Sequence, residues 1–245
     1  MPFLGTIVNF FAVLVTGILG TLIKKGVPKR ISDAIMSAMA VCVLYIGISG
    51  VLEPVGRVGS GELLSDGLVK ALVMIVSMAL GTLVGEIIDI DKWVERLGSF
   101  LESKFSGVGA EGNFSRGFVS CSILFCVGAM TVTGALEDAM GNPGMLLAKS
   151  VIDGISCFIM ASTMGIGCAF SAVFLLVYQG ALTLLGLFLA GILPAVSIAA
   201  MSVTGSLVVI LVGTNVLGIT RVKTANMIPA IFMPALIVPL LSLIL

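Results

Sequence analysis

The sequence predicts an all-α fold: a polytopic membrane helical bundle of eight transmembrane helices, forming a single domain over residues 1–245. Three observations predict it. The chain is 58% hydrophobic with 30 glycines, and its mean hydropathy is +1.22, more apolar surface than one soluble core of this size can bury. Charged residues make up 11%. The 67 residues from Gly154 to Thr220 contain no Asp, Glu, Lys or Arg, which leaves room for about three crossings of roughly 20 residues each.

In chain order, apolar runs near Leu4–Ile23, Ile31–Leu52, Leu68–Ile88 and Phe114–Leu136 give the first four spans. A fifth starts at Met145 and leads into the charge-free run. That run is divided by Gly165–Ile166–Gly167 and by Ala190–Gly191–Ile192–Leu193–Pro194, its poorest helix-forming points, which serve as turns. Thr224 to Leu245 is the eighth span.

Basic residues in short loops stay cytoplasmic and set the orientation. With eight spans, one side holds Lys24, Lys25, Lys29, Arg30, Lys92, Arg96, Lys104, Arg116, Arg221 and Lys223. The other side holds Arg57, Lys70 and Lys149. Both termini are therefore expected in the periplasm. Helix 1 lacks a basic segment before it and an A-x-A-like site after it, so it reads as a span rather than a cleaved signal. Glu53–Gly67, rich in glycine, reads as an irregular outer loop. Residues 89–105 place Ile90, Trp93, Leu97, Phe100 and Leu101 at spacings of three and four, with Lys92, Glu95, Arg96 and Glu102 between them. This is an amphipathic cytoplasmic helix, either lying in the headgroup plane with Trp93 as anchor or packed on the bundle.

Gly20, Pro28 and Gly47 are spaced 8 and 19 apart, and so are Gly186, Pro194 and Gly213. In the eight-span topology these two hairpins run in opposite senses. The match suggests an inverted repeat relating helices 1–3 to helices 6–8, with helices 4 and 5 between them.

Composition also excludes functions. The balance of 13 basic and 13 acidic residues gives no electrostatic footprint for nucleic acid. Histidine is absent, which removes Ser-His and Cys-His catalysis and the commonest zinc ligand. The five cysteines form no CxxC pair, and Asp153 is preceded by Val151-Ile152 rather than the Gly-x-Gly of an intramembrane aspartyl protease. The expected protein is not an enzyme, takes no cofactor, and leaves the question of a metal open.

Ionisable groups in hydrocarbon cost at least ~2.5–3.5 kcal/mol on insertion scales, so those that remain are candidates for function. Helix 4 carries Gly128, Thr131, Thr133 and Gly134, then Glu137-Asp138. Helix 5 opens with Lys149 and Asp153, four residues apart and so on one face. The glycines loosen helix 4 and can free carbonyls to coordinate a cation. Asp153 is the deepest carboxylate of the set. With Gln179 in mid-helix 6 and the Gly128–Gly134 stretch, it is expected to line a polar cavity for a cation or small polar solute, with Lys149 toward the outer mouth. The bland alternative is an interfacial Lys149–Asp153 salt bridge, with Glu137 and Asp138 in water. Asn9, Asn215 and Asn226 are read as either ligand contacts or interhelical glue, and Glu86 as a solvated helix end. The cysteines read as small buried hydrophobes.

The strings FCVGAMTVTGALEDAMG (125–141), LLAKSVIDGISCFIMASTMGIGCAFSA (146–172) and LVYQGALTLLG (176–186), with the opening GTIVN (5–9), resemble the bacterial membrane-protein family called domain of unknown function 554, the YqgA/YdfK-like proteins. The resemblance runs nearly end to end. It implies a bacterial inner-membrane protein and brings no substrate or catalytic residue with it. The function expected is a transporter or channel for a small polar solute or ion. The alternative is a non-catalytic scaffold or partner subunit whose polar residues are packing glue. The partners implied are the lipid bilayer and a small solute or ion, and a homo-oligomer is compatible with the sequence.

Overall fold

The computed structural model describes residues 1–23, 27–52, 67–93, 96, 100, 113–126 and 129–244. Gly128, Lys24, Lys25, residues 53–66 of the outer loop and most of the amphipathic segment 89–105 lie outside that set. From that segment, the Arg96 guanidinium stands 5.4 Å from the Trp93 ring centroid.

Regular structure among the described residues is all helical, without a strand. In order come α1 (Leu4–Thr21), α2 (Lys29–Leu52), α3 (Gly67–Ile88), α4 (Asn113–Cys126), α5 (Ala129–Ala139), α6 (Gly144–Met164), α7 (Gly167–Ala190) and α8 (Ala195–Val216). A 3-10 turn (Thr224–Met227), α9 (Ile228–Phe232) and α10 (Pro234–Ile244) complete the chain. Seven helical segments among the described residues are long and apolar enough to cross a membrane. The expected fourth span is instead broken: α4 and α5 pass the same test only as a pair and are bent by 61° where they meet. The last crossing is interrupted too. Pro234 opens α10 at the position where a missing N–H costs least, and this splits the run from Thr224 that hydropathy alone reads as continuous.

The turns fall at the weak points of the long apolar run. Gly165, in the left-handed region at φ 80°, ends α6. Pro194 with ψ 144° leads into α8.

α1 lies along α6 and α7, α2 along α8, α4 and α5 along α7, and α3 along the 3-10 turn and α9. In a bilayer, lipid tails are as apolar as leucine, so close backbone contact through small residues holds helices together. The two matched Gly-Pro-Gly sets supply that contact in equivalent ways. A Cβ at Gly20 would fall 2.9 Å from Ala161 Cβ and 3.1 Å from Phe158 Cα of α6. One at Gly186 of α7 would fall 2.8 Å from Ala139 Cβ and 3.2 Å from Leu136 Cα of α5. Gly47 of α2 abuts Ile210 of α8, and Gly213 of α8 abuts Leu44 of α2. At Gly20 and Gly47 the added carbon would meet backbone atoms closer than 3.0 Å, so a side chain there forces the helices apart.

Two interior clusters flank the centre. Val13, Phe125, Cys121, Cys157, Cys168 and Leu175 join α1, α4, α6 and α7. Val132, Leu136, Met201, Val208 and Ile231 join α5, α8 and α9. The outer surface is apolar, with Tyr45, Val177, Phe188 and Leu236 among the exposed side chains. This is the composition of a membrane protein.

Candidate functional site

The break between α4 and α5 shapes the interior. A helix that stops inside a bundle leaves its last carbonyls without intrahelical partners, at the negative end of the helix dipole. The Phe125 carbonyl near the end of α4 accepts two hydrogen bonds, one from Lys149 Nζ at 3.0 Å and one from Thr131 Oγ1 at 3.0 Å. Freed carbonyls in helix 4 were expected to hold a cation. The cation found there is the Lys149 ammonium.

Lys149 also bonds Asp153 Oδ2 one turn along α6. Lys149 is 4% exposed and Asp153 6%, so the pair is buried within the bundle, with Lys149 one turn nearer the start of α6 than Asp153. Pairing leaves the two charges neutral as a unit, which is how a buried carboxylate is tolerated in hydrocarbon.

α1 and α7 close the other side. Asn9 Nδ2 donates to Asp153 Oδ2 at 3.0 Å and to Gln179 Oε1 at 3.2 Å. The carboxylate only accepts, so Asn9 must present its amide nitrogen, and Gln179 must then present its oxygen. This order leaves Asn9 Oδ1 and Gln179 Nε2 without hydrogen-bond partners among the described residues, on side chains that are fully buried. Each such orphan costs about 1–3 kcal/mol relative to a satisfied group.

Asp138 has a different environment. It is fully buried, not in water, and it meets α1 rather than the Lys149–Asp153 pair. Its carboxylate accepts from Gly5 N at 3.1 Å and from Thr6 N at 3.4 Å, and Thr6 Oγ1 lies 3.5 Å away. These amides open α1, whose own N-cap, Phe3, supplies no side-chain bond. Asp138 therefore caps α1 from another helix, at the end where the dipole favours negative charge. Thr6 Oγ1 and Thr183 Oγ1 share a 3.1 Å hydrogen bond, and Thr183 donates on to the Gln179 carbonyl. Glu137 is half-buried.

The remaining candidates go elsewhere. Thr133 lines a crevice with Leu136, Met140, Gly186 and Met201 whose free volume is about 10 Å³, room for one water at most. Asn215 organises the loop after α8, donating to Val222 O at 2.7 Å and accepting from Thr220 Oγ1 at 2.7 Å and from Val222 N at 3.1 Å. Asn226 accepts from Asp91 N at 2.7 Å, where α3 meets the 3-10 turn. Glu86 is exposed. No group of three or more His, Cys, Asp or Glu placed to hold a metal occurs among the described residues.

Sequence reasoning missed the parts of Gly5, Thr6, Thr183 and the Phe125 carbonyl. Two of these left a signal: Thr6 with Asn9, and Gln179 with Thr183, are spaced three and four apart, so each pair shares one helix face. Beyond the bundle, Asp89 at the end of α3 pairs with Lys92 at 3.3 Å and Lys223 at 3.4 Å. Desolvation pushes the Asp89 carboxyl up, but the Lys92 hydrogen bond and the Lys223 charge outweigh it and hold the group below the usual carboxylate range.

The family model described as "Protein of unknown function (DUF554)" matches residues 4–239. The chain belongs to the DUF554 family. This DUF554 protein is 29% identical over 235 residues to "Uncharacterized membrane protein YdfK" of Bacillus subtilis strain 168, covering 96% of its own length and 95% of that relative. It is 27% identical over 234 residues to "Uncharacterized protein YqgA" of Escherichia coli strain K12, covering 94% of each chain. No solved structure matches it.

Proposed function

We propose that this DUF554 protein is a transporter or channel for a small polar solute or ion in the bacterial inner membrane, with no catalytic activity. The observation that carries the reading is the buried Lys149–Asp153 pair set against a broken helix, with orphaned amide atoms on Asn9 and Gln179 beside it. A fold that needed only stability would gain by filling this position with apolar side chains. Discontinuous helices with polar termini at membrane depth are where secondary transporters hold their cargo.

In this reading α4 and α5 form one bent span, giving eight crossings with both termini periplasmic. Reporter fusions at Leu245 and at Ser106 then report opposite sides. The close approaches that Gly20 and Gly186 each make to a neighbouring helix, and that Gly47 and Gly213 make between α2 and α8, support an inverted repeat that relates α1–α3 to α7–α10 about an axis in the membrane plane.

The test is uptake into proteoliposomes of 22Na+, 86Rb+ and [14C]methylammonium. Asp153→Asn alone leaves a buried ammonium unpaired, so the informative variant is Asp153→Asn with Lys149→Met, which removes both charges. It should melt near the wild type and transport nothing. Uptake by the double variant equal to that of the wild type contradicts the reading. The scaffold reading draws on one observation, that Lys149 and Asp153 already neutralise each other. It predicts no uptake of any probe by the wild type.

A further inference from the structure

We infer that the oxygens around Lys149 Nζ form a monovalent-cation site whose resting occupant is the protein's own tethered ammonium. The inference rests on the transport reading above and names the class of ion that the same site takes. The donor set is what a small cation needs: the Asp153 carboxylate, the Phe125 carbonyl freed where α4 ends, and the Thr131 hydroxyl bonded to that carbonyl. The Asn9 side chain, whose amide nitrogen lies 3.0 Å from Asp153 Oδ2, adds an oxygen that is fully buried and unpartnered among the described residues. An ammonium has three N–H groups, and those of Lys149 reach Asp153 and the Phe125 carbonyl. An alkali ion accepts more oxygens than that. A half-turn of the Asn9 amide would bring into that set its Oδ1, which holds no hydrogen bond among the described residues.

Charge selects the valence. The hydrogen-bonded set of Asp153, Lys149, Asn9, Gln179, Thr131 and the Phe125 carbonyl contains one carboxylate. One carboxylate neutralises a monovalent ion, whereas hard divalent ions are usually met by several. Lysine suits the tether because its ammonium is a point charge on a flexible four-carbon stem, free to swing away without moving α6. Asp153 cannot be left uncompensated in hydrocarbon, so Lys149 leaves only as another cation arrives. The exchange balances if the ammonium reaches water: one cation enters the oxygen set as one ammonium, still protonated, swings out toward the exposed Asn142 turn before α6.

The experiment is equilibrium binding of 22Na+, 86Rb+ and [14C]methylammonium to purified full-length protein, with N-methyl-D-glucamine balancing ionic strength. Lys149→Met removes the competitor and keeps the apolar stem. It should bind at least one probe ten-fold or more tightly than the wild type, and adding Asp153→Asn should abolish that binding. Sodium or rubidium identifies an alkali site, and methylammonium identifies an ammonium site. The melting temperature of Lys149→Met should rise with the same cation and not with N-methyl-D-glucamine. A variant that folds only when that cation is present counts as the same result. If Lys149→Met binds none of the probes above the double variant, or melts or fails to fold identically in all four cations, the inference is overturned. Gain of binding without any wild-type uptake would leave the site standing and remove the transport reading instead.

Discussion

Asp138 and Asp153 are both aspartates inside the same bundle, 0% and 6% exposed, and they meet opposite kinds of partner. Asp138 is held by the Gly5 and Thr6 backbone amides at the start of α1. Those donors are fixed in the chain and cannot withdraw unless the helix unravels. Asp153 is held by Lys149, on a flexible stem, and by Asn9, whose amide is left half-used. Burial alone does not separate a structural carboxylate from a functional one. In the transport reading, what separates them is whether the compensating group can leave.

The largest effect should come from Asp153→Asn, which leaves Lys149 buried without its counter-charge and is expected to cost about 3 kcal/mol along with all uptake. Adding Lys149→Met should restore most of that stability and none of the uptake. Melting the four members of this cycle measures a coupling that additivity would set to zero. Asp138→Ala comes next, at about 2 kcal/mol for a lost cap and two orphaned N–H groups, again read from thermal unfolding. Lys149→Met should not repair it, and uptake per folded molecule should stay at the wild-type level. Restoration of Asp138→Ala by Lys149→Met would erase the distinction between the two carboxylates.

Gln179→Met is a finer probe. It removes an orphaned donor and costs Asn9 one of its two acceptors, so the melting free energy should move by less than about 1 kcal/mol while uptake falls. A large loss of stability would make Gln179 interhelical glue instead. The smallest effect belongs to Asp89, a carboxylate whose side chain is 30% exposed and which is paired with lysines outside the spans. Its folded carboxyl titrates below the unfolded one, so its contribution is complete above about pH 4 and disappears as pH falls through the lowered value. Asp89→Asn should therefore flatten the fall in melting temperature as the pH drops below about 4, and change little at pH 7.

The spans were legible because lipid imposes a length of apolar sequence, and Gly165 and Pro194 punctuate that sequence whatever the tertiary context. Lys149 and Asp153 were legible from their cost and their one-turn spacing. The meeting of Asn9, Asp153 and Gln179 was not, since it depends on α1 lying against α6 and α7 at a particular rotation. Asp138 was beyond reach for a sharper reason: its partners are backbone amides more than 130 positions away, and an amide carries no residue signature. Asn215, an amide at a helix end, was open to either a ligand contact or a packing role, and its bonds to Thr220 and Val222 are local in the chain. The last crossing was legible as one apolar run, and only a one-residue turn at Met233, before Pro234, divides its helix.

The most direct test sets the two carboxylates side by side: initial uptake of 22Na+, 86Rb+ and [14C]methylammonium into proteoliposomes, normalised to folded protein, for Asp138→Ala and for Asp153→Asn with Lys149→Met. The account predicts wild-type uptake per folded molecule for the first and background for the second, with the second the more heat-stable of the two. Equal specific uptake by both variants, or loss confined to Asp138→Ala, would contradict it.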